Sequence, residues 1–213
     1  MLFSIWLFEI FKVLWVASVG ACVGSLINVL VYRLPLGLSV VSPPSRCPSC
    51  QTKLTWRENI PIFGWIFLGG RCRFCKSRIS PEYPIVEAFV AILFAAFYLL
   101  WYQTPARYMV MGVNLGAIAP DWAGDRYGVL GESWPAFTVM LVLLGSLTAM
   151  TIVDAKTFTI PLVLAWTPTI VALVIHPLHA LCMQMGWIWE GPPRMLGTAS
   201  ATGEVWFVPG PGP

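Results

Sequence analysis

Residues 46–84 read RCPSCQTKLTWRENIPIFGWIFLGGRCRFCKSRISPEYP. Two CxxC pairs, Cys47/Cys50 and Cys72/Cys75, close a basic, tryptophan-containing loop. A two-residue spacer lets the chain turn tightly enough to present both thiolates of a pair to one ion. Four thiolates satisfy the tetrahedral preference of Zn²⁺. The 21 residues between Cys50 and Cys72 slightly exceed the roughly 15–20 usual for a four-cysteine zinc site. Pro48 and Lys76 are expected in the knuckle turns, and Gly69-Gly70 let the chain reach the second one. With no fifth ligand nearby the site is closed, which gives the metal a folding role and not a catalytic one. The competing reading of the same cysteines is a pair of redox or disulfide couples, which a cytosolic loop would keep reduced.

The sequence around this loop is that of an integral membrane protein. Of 213 residues 57% are hydrophobic and only 11% charged, against about a quarter charged in a soluble domain; mean hydropathy is +0.74. The net charge of +3 is small but unevenly spread. Arg33, Arg46, Lys53, Arg57, Arg71, Arg73, Lys76 and Arg78 fall between Arg33 and Tyr83, opposed only by Glu58 and Glu82. A basic stretch can mark a nucleic-acid surface, but beside apolar spans it is the positive-inside signal. No nucleic-acid partner is expected, and the loop is predicted to be cytoplasmic. Cys22 and Cys182 lie in apolar segments and read as small core residues.

Outward from the loop the chain divides into segments. Residues 1–32 hold the first transmembrane segment, whose charge-free part, 13–32, is long enough to span. Its Gly20, Gly24 and Ser25 allow another helix to approach closely. A cleaved signal is not expected: Glu9 precedes Lys12, and apolar sequence continues past Val19-Gly20-Ala21-Cys22. Residues 33–84 form the cytoplasmic knuckle loop and 85–102 the second span. Glu87 is expected near that helix's start, favoured by the dipole and within reach of the interface. Residues 103–135 read as an extracytoplasmic loop, with an interfacial helix in the apolar stretch 108–119. Residues 136–185 carry two spans, 136–153 and 160–183, the latter predicted to kink at Pro168 and Pro177. Residues 186–213 are a polar, Pro/Gly-rich tail without a core-forming pattern. No internal repeat is expected. The fold class is thus an all-α polytopic membrane protein of about four transmembrane helices, both termini outside, carrying a cytoplasmic four-cysteine zinc-knuckle loop.

Asp154 is the only carboxylate at the inner edge of the third span. A carboxylate at the edge of hydrocarbon is costly and is by default a functional candidate, here for acid–base work. The alternatives are a helix-end aspartate facing water or a surface pair with Lys156, worth little energetically.

Several motifs occur in a consistent order. They are Gly20-(x3)-Gly24-Ser25-(x2)-Asn28-(x3)-Tyr32-Arg33-x-Pro35; Cys47-Pro48-x-Cys50; Trp56-x-Glu58-Asn59-Ile60-Pro61; Gly70-Arg71-Cys72-x-x-Cys75; Ile79-Ser80-x-x-Tyr83-Pro84-x-x-Glu87; and Asp154 followed by Ile160-Pro161. Together they resemble the N-terminal portion of the prepilin peptidases, the type IV leader peptidase/prepilin N-methyltransferase family. The resemblance implies a polytopic aspartic peptidase of the bacterial inner membrane. Such an enzyme cuts the basic leader of type IV prepilins or type II secretion pseudopilins after a glycine at the cytoplasmic face. Many members then methylate the new N-terminal amine with S-adenosylmethionine. It also implies that Asp154 is the first of two catalytic aspartates that share proton transfer.

The family's second aspartate lies in a GxGD motif on a later span. After Asp154 the only acids here are Glu190 and Glu204, neither in that motif. Asp121 and Asp125 precede Asp154 on the opposite side, a span of ~27 Å away. The chain is therefore expected to carry only part of the catalytic apparatus. No glycine-rich strand-to-helix motif for the adenosyl cofactor is present, so the residues that would bind it are unassigned. Glu58 and Glu82 are candidates for leader contacts, or ordinary solvated glutamates. Two non-enzymatic readings compete: an inactive scaffold or adaptor of the pilus or secretion machinery, and a membrane-tethered zinc-ribbon adaptor, against which the Asp154…Pro161 pairing argues.

Overall fold

The structure, a computed structural model, describes residues 2–42, 44–103, 109–110, 113–114 and 129–185. Four of its helices are long and apolar enough to cross a membrane: Leu7–Arg33, Glu82–Gln103, Ser133–Thr157 and Leu162–Cys182. The chain is a multi-pass membrane protein.

Helix α1 runs Leu2–Arg33 over 32 residues and so starts well before the charge-free stretch. Glu9 and Lys12, one turn apart, pair at 2.7 Å, and this mutual neutralisation lets the helix carry both. At its other end Arg33 turns the chain, its Nη1 donating to the carbonyls of Ser39 (2.9 Å) and Val40 (3.1 Å). A short helix α2, Phe63–Phe67, lies within the loop. Helix α3, Glu82–Tyr98, continues through a π turn at Leu99–Gln103. The expected interfacial helix at 108–119 is not what the described residues there form: Met109–Val110 (β1) and Val113–Asn114 (β2) pair antiparallel. The rest of that stretch, Asp121, Asp125 and the tail from 186, with Glu190 and Glu204, lie outside the described residues. Helix α4 is Val129–Thr157 and α5 is Leu162–Gln184, which runs through Pro168 and Pro177 as one helix.

The centre of the bundle is the α1–α3 hairpin. It is pinned near both ends, by Asn28 Nδ2 donating to the Tyr83 carbonyl (3.1 Å) and by Gln103 Nε2 donating to Glu9 Oε2 (2.8 Å). The small residues of α1 allow this close approach. A Cβ on Gly20 would sit 2.8 Å from the Val90 carbonyl oxygen, and one on Gly24 2.6 Å from the Cα of Glu87. Without a hydrophobic drive between helices in lipid, backbone proximity of this kind is a main source of association. Gly24→Val is therefore expected to destabilise the bundle by about 2–3 kcal/mol, the upper range for overpacking, read as a lower midpoint of denaturation in detergent. An unchanged midpoint would show that this contact is not close in solution.

Ile27, Val86, Val90, Phe94, Ala149 and Leu164 form the apolar centre between the helices. Tyr98, Trp101 and Phe137 make an aromatic layer at the end distant from the knuckle loop. Leu14, Phe89, Ile92, Ile170 and Leu173 face outward, as spans bathed in lipid require.

Candidate functional site

The two cysteine pairs are built alike, and the absence of a repeat expected from the sequence is corrected here. Residues 46–55, RCPSCQTKLT, and 71–80, RCRFCKSRIS, fold as matching knuckles. In the first, Gln51 N–H donates to the Cys47 carbonyl (2.9 Å) and Cys47 N–H to that of Thr52 (3.0 Å). In the second, Lys76 N–H donates to Cys72 (3.1 Å) and Cys72 N–H to Ser77 (2.9 Å). Single antiparallel bridges, Arg46 with Lys53 and Arg71 with Arg78, close each turn. The tight turn requires a left-handed residue after the second cysteine, supplied by Gln51 (φ 56°) and Lys76 (φ 59°). Pro48 lies in the turn of the first knuckle and Lys76 closes that of the second, as expected, and the left-handed counterpart of Lys76 is Gln51. Gly70 (φ 66°) admits the Trp65 ring where a Cβ would come within 2.8 Å. Trp65 Nε1 in turn donates to the Ile79 carbonyl at 3.1 Å, fixing the second knuckle against α2.

The four sulfurs all lie within 4.8 Å of one another, a set that can hold a metal ion. Cys47 and Cys75 Sγ are 3.8 Å apart, Cys50 and Cys72 Sγ 3.9 Å. A zinc–sulfur bond of about 2.3 Å places the corners of a tetrahedron ~3.8 Å apart, a spacing that these two sulfur pairs already have, so the donor set fits such an ion. The cysteines are free. Backbone N–H groups of Cys50, and then of Ser49, hold the Cys47 thiol down at about 6. Cys75 is also lowered, by the Ser77 hydroxyl and backbone. Cys72 goes the other way: the N–H groups of Cys75 and Phe74 favour its thiolate, but burial and the neighbouring Cys47 and Cys75 thiols outweigh them. Such a set keeps some of its protons until a cation neutralises it.

The loop is locked to the bundle by Glu87. The expectation that this carboxylate reaches the interface is corrected. Glu87 is only 8% exposed, beside Gly24, and its Oε2 accepts the Ile62 N–H at 2.6 Å and its carboxylate a bond from Ser25. Ile62 sits at φ 64°, ψ −56°, where the Phe63 N–H reaches the Pro61 carbonyl at 2.6 Å. This is a γ-turn of the strained, positive-φ kind, seldom adopted by a β-branched residue. Such strain persists only where the surroundings hold it, and here Glu87 is the clamp. Glu58 is corrected too. Its side chain is 5% exposed and 3.7 Å from Arg73 Nη1, while Oε2 accepts the Thr55 N–H at 2.8 Å. It braces the loop and is out of reach of a peptide.

Glu82, by contrast, is exposed and pairs with Lys156, joining the start of α3 to the end of α4. The pair lies at a cleft of about 300 Å³ lined also by Asn28, Tyr32, Tyr83 and Thr157, which gathers residues from α1, α3 and α4. Asp154 is exposed and lies one helical turn before Thr157, in the last turn of α4. There its backbone carbonyl accepts the Phe158 N–H at 2.8 Å. Phe158, at φ 53°, ends the helix in the left-handed conformation usual at such caps. Asp154 and the knuckle thus lie on the same side of the bundle, at separate places.

Fold and site define a class: a polytopic membrane protein whose first two spans enclose a four-cysteine knuckle. Residues 18–101 match the family model of the bacterial peptidase A24 N-terminal domain. The prepilin leader peptidase/N-methyltransferase of Pectobacterium carotovorum subsp. carotovorum is 32% identical over 177 residues, 72% of this chain and 53% of the relative. The enzyme of the same name from Myxococcus xanthus (strain DK1622) is 51% identical over 77 residues, 36% of this chain and 23% of the relative. The type 4 prepilin-like proteins leader peptide-processing enzyme of Escherichia coli O78:H11 is 30% identical over 163 residues, 65% and 59% of the two chains. The chain belongs to the prepilin leader peptidase family. In these longest matches it spans somewhat more than half of the relatives' length. No solved structure matches it.

Proposed function

We propose that this chain belongs to a membrane aspartic endopeptidase that removes the leader of type IV prepilins or type II secretion pseudopilins, with Asp154 as one of its two carboxylates. The observation that supports the reading is the position of Asp154, exposed in the last turn of α4, one turn before Thr157, which lines a cleft assembled from three helices. One carboxylate takes a proton from water, whose oxygen attacks the scissile carbonyl. The other, holding a proton, passes it toward the substrate as the peptide bond breaks and the new amine leaves. Asp154 supplies one of these groups; among the described residues no second aspartate accompanies it.

The four cysteines are assigned a structural Zn²⁺, supported by their fit to a tetrahedral thiolate site. N-methylation of the new N-terminus from S-adenosylmethionine is part of the same reading, supported by the names of the relatives. The test is incubation of the intact gene product with a prepilin and labelled S-adenosylmethionine. Loss of the leader together with label on the shortened pilin is expected. Cleavage without label would remove the transferase and leave the peptidase. No cleavage, with the bundle folded, would favour a scaffold of the pilus or secretion machinery.

The same reading puts residues 33–84 and Asp154 on the cytoplasmic side of the bacterial inner membrane, supported by the basic charge of the loop. Alkaline phosphatase fused after residue 80 is expected to be inactive, and fused after residue 104 active. The opposite pattern would reverse the orientation.

A further inference from the structure

We propose that the middle of the knuckle loop, residues 60–68, is not in water but lies in the edge of the lipid bilayer, with Phe63, Ile66 and Phe67 against lipid. Depth is the first argument. The span Glu82–Gln103 has 22 residues, about 33 Å of helix, which matches the ~30 Å hydrocarbon core. Its two ends are marked by polar pairs, Glu82 with Lys156 at one and Gln103 with Glu9 at the other. Glu87 is five residues inside that edge, about 7.5 Å along the axis. Because the Ile62 N–H is bonded to Glu87 Oε2 at 2.6 Å, the turn leading into α2 is held within a glutamate side chain's reach of that depth.

The chemistry of the segment agrees. From Ile60 to Gly70 there is no charged residue. Phe63, Ile66 and Phe67 are 55, 54 and 78% exposed, with Phe63 and Phe67 stacked at 6.1 Å on one face of α2. Irregular backbone near hydrocarbon needs its polar groups satisfied internally. The N–H groups of Ile62, Phe63, Gly64, Ile66, Leu68, Gly69 and Gly70 all find acceptors within the chain. On either side the polarity changes abruptly. Arg57 stacks over Trp56 at 5.2 Å and Arg73 over Phe74 at 5.9 Å. Aromatic rings paired with cations are suited to the headgroup level of an anionic bilayer. The apolar surface is also continuous with lipid, since the loop leaves one span and returns to the next.

The test uses the chain in nanodiscs of anionic phospholipid. A nitroxide is introduced through a non-natural amino acid, which leaves the cysteines intact, at position 63 or 67. Positions 92 and 53 serve as lipid and water references, and accessibility to oxygen is compared with that to a water-soluble nickel chelate. High oxygen and low nickel accessibility at 63 and 67, as at 92, is expected. Nickel accessibility like that at 53 would place the segment in water and overturn the proposal. Low accessibility to both reagents would show a protein partner covering it, and would also overturn it. In a Glu87→Leu variant whose four cysteines remain protected from alkylation, nickel accessibility at 67 is expected to rise severalfold. No change would show that Glu87 does not set the depth, and would contradict the mechanism proposed.

Discussion

Asp154→Asn is expected to abolish leader cleavage by the intact gene product, with turnover falling about 10³-fold or more, the scale of losing a positioned acid–base group. Asparagine keeps the shape of the side chain and removes its titratable proton. Folding should be nearly unaffected. Asp154 is exposed, and the helix end depends on its backbone carbonyl, which the substitution retains; surface replacements of this kind cost within about 0.5 kcal/mol. The effect should therefore fall on kcat, with prepilin still bound. Breaking the adjacent pair by Glu82→Gln is expected to do far less, because an exposed ion pair is worth about 0–1 kcal/mol. The assay is the shift of a prepilin band on a gel as the leader is lost. Undiminished cleavage by the asparagine variant would take Asp154 out of the site.

Cys72→Ser is expected to empty the knuckle. Cys72 is 2% exposed and central to the sulfur cluster, and a serine oxygen is a poor substitute for a buried thiolate. Structural zinc sites in small domains contribute about 10–16 kcal/mol of folding free energy, so most of the order in residues 46–79 depends on the intact set. Bound zinc should fall from about one per chain to none, and the loop should become sensitive to protease. The spans should stay inserted, since insertion follows hydropathy. A strong chelator should reproduce this in the unmodified chain. Full retention of zinc by the Ser variant, with unchanged resistance to protease, would rule out the four-thiolate assignment.

The spans were legible because hydrocarbon tolerates so few charges that an uncharged run of about twenty residues has few other uses. The ends of the helices were less so. Glu9 and Lys12 look like a boundary in sequence, yet they neutralise each other within α1. The cysteine pairs were plain from spacing. The fuller correspondence of 46–55 with 71–80 was also present in the letters, and only the shared hydrogen-bond pattern made it evident. Gly20 and Gly24 advertised close packing, and they pack. Glu87 could not be read correctly: its partner Ile62 is 25 residues away, in a positive-φ turn with no glycine to signal it. Glu58 looked as available as Glu82 on paper, and only burial separates them. Asp154 stood out through its position at a span's edge, but the cleft one turn on, at Thr157, depends on α1, α3 and α4 converging.

The proposed function requires prepilin to come to Asp154, and the cleft lined by Asn28, Tyr83 and Thr157 opens one helical turn away. This requirement is tested most directly by trapping the substrate there. A photo-crosslinking amino acid placed at Tyr83 in the Asp154→Asn protein is expected to form a covalent adduct with prepilin upon irradiation, whereas the same group at lipid-facing Ile92 is expected to form none. Equal adducts at the two positions, or none at position 83 while prepilin still binds, would contradict it.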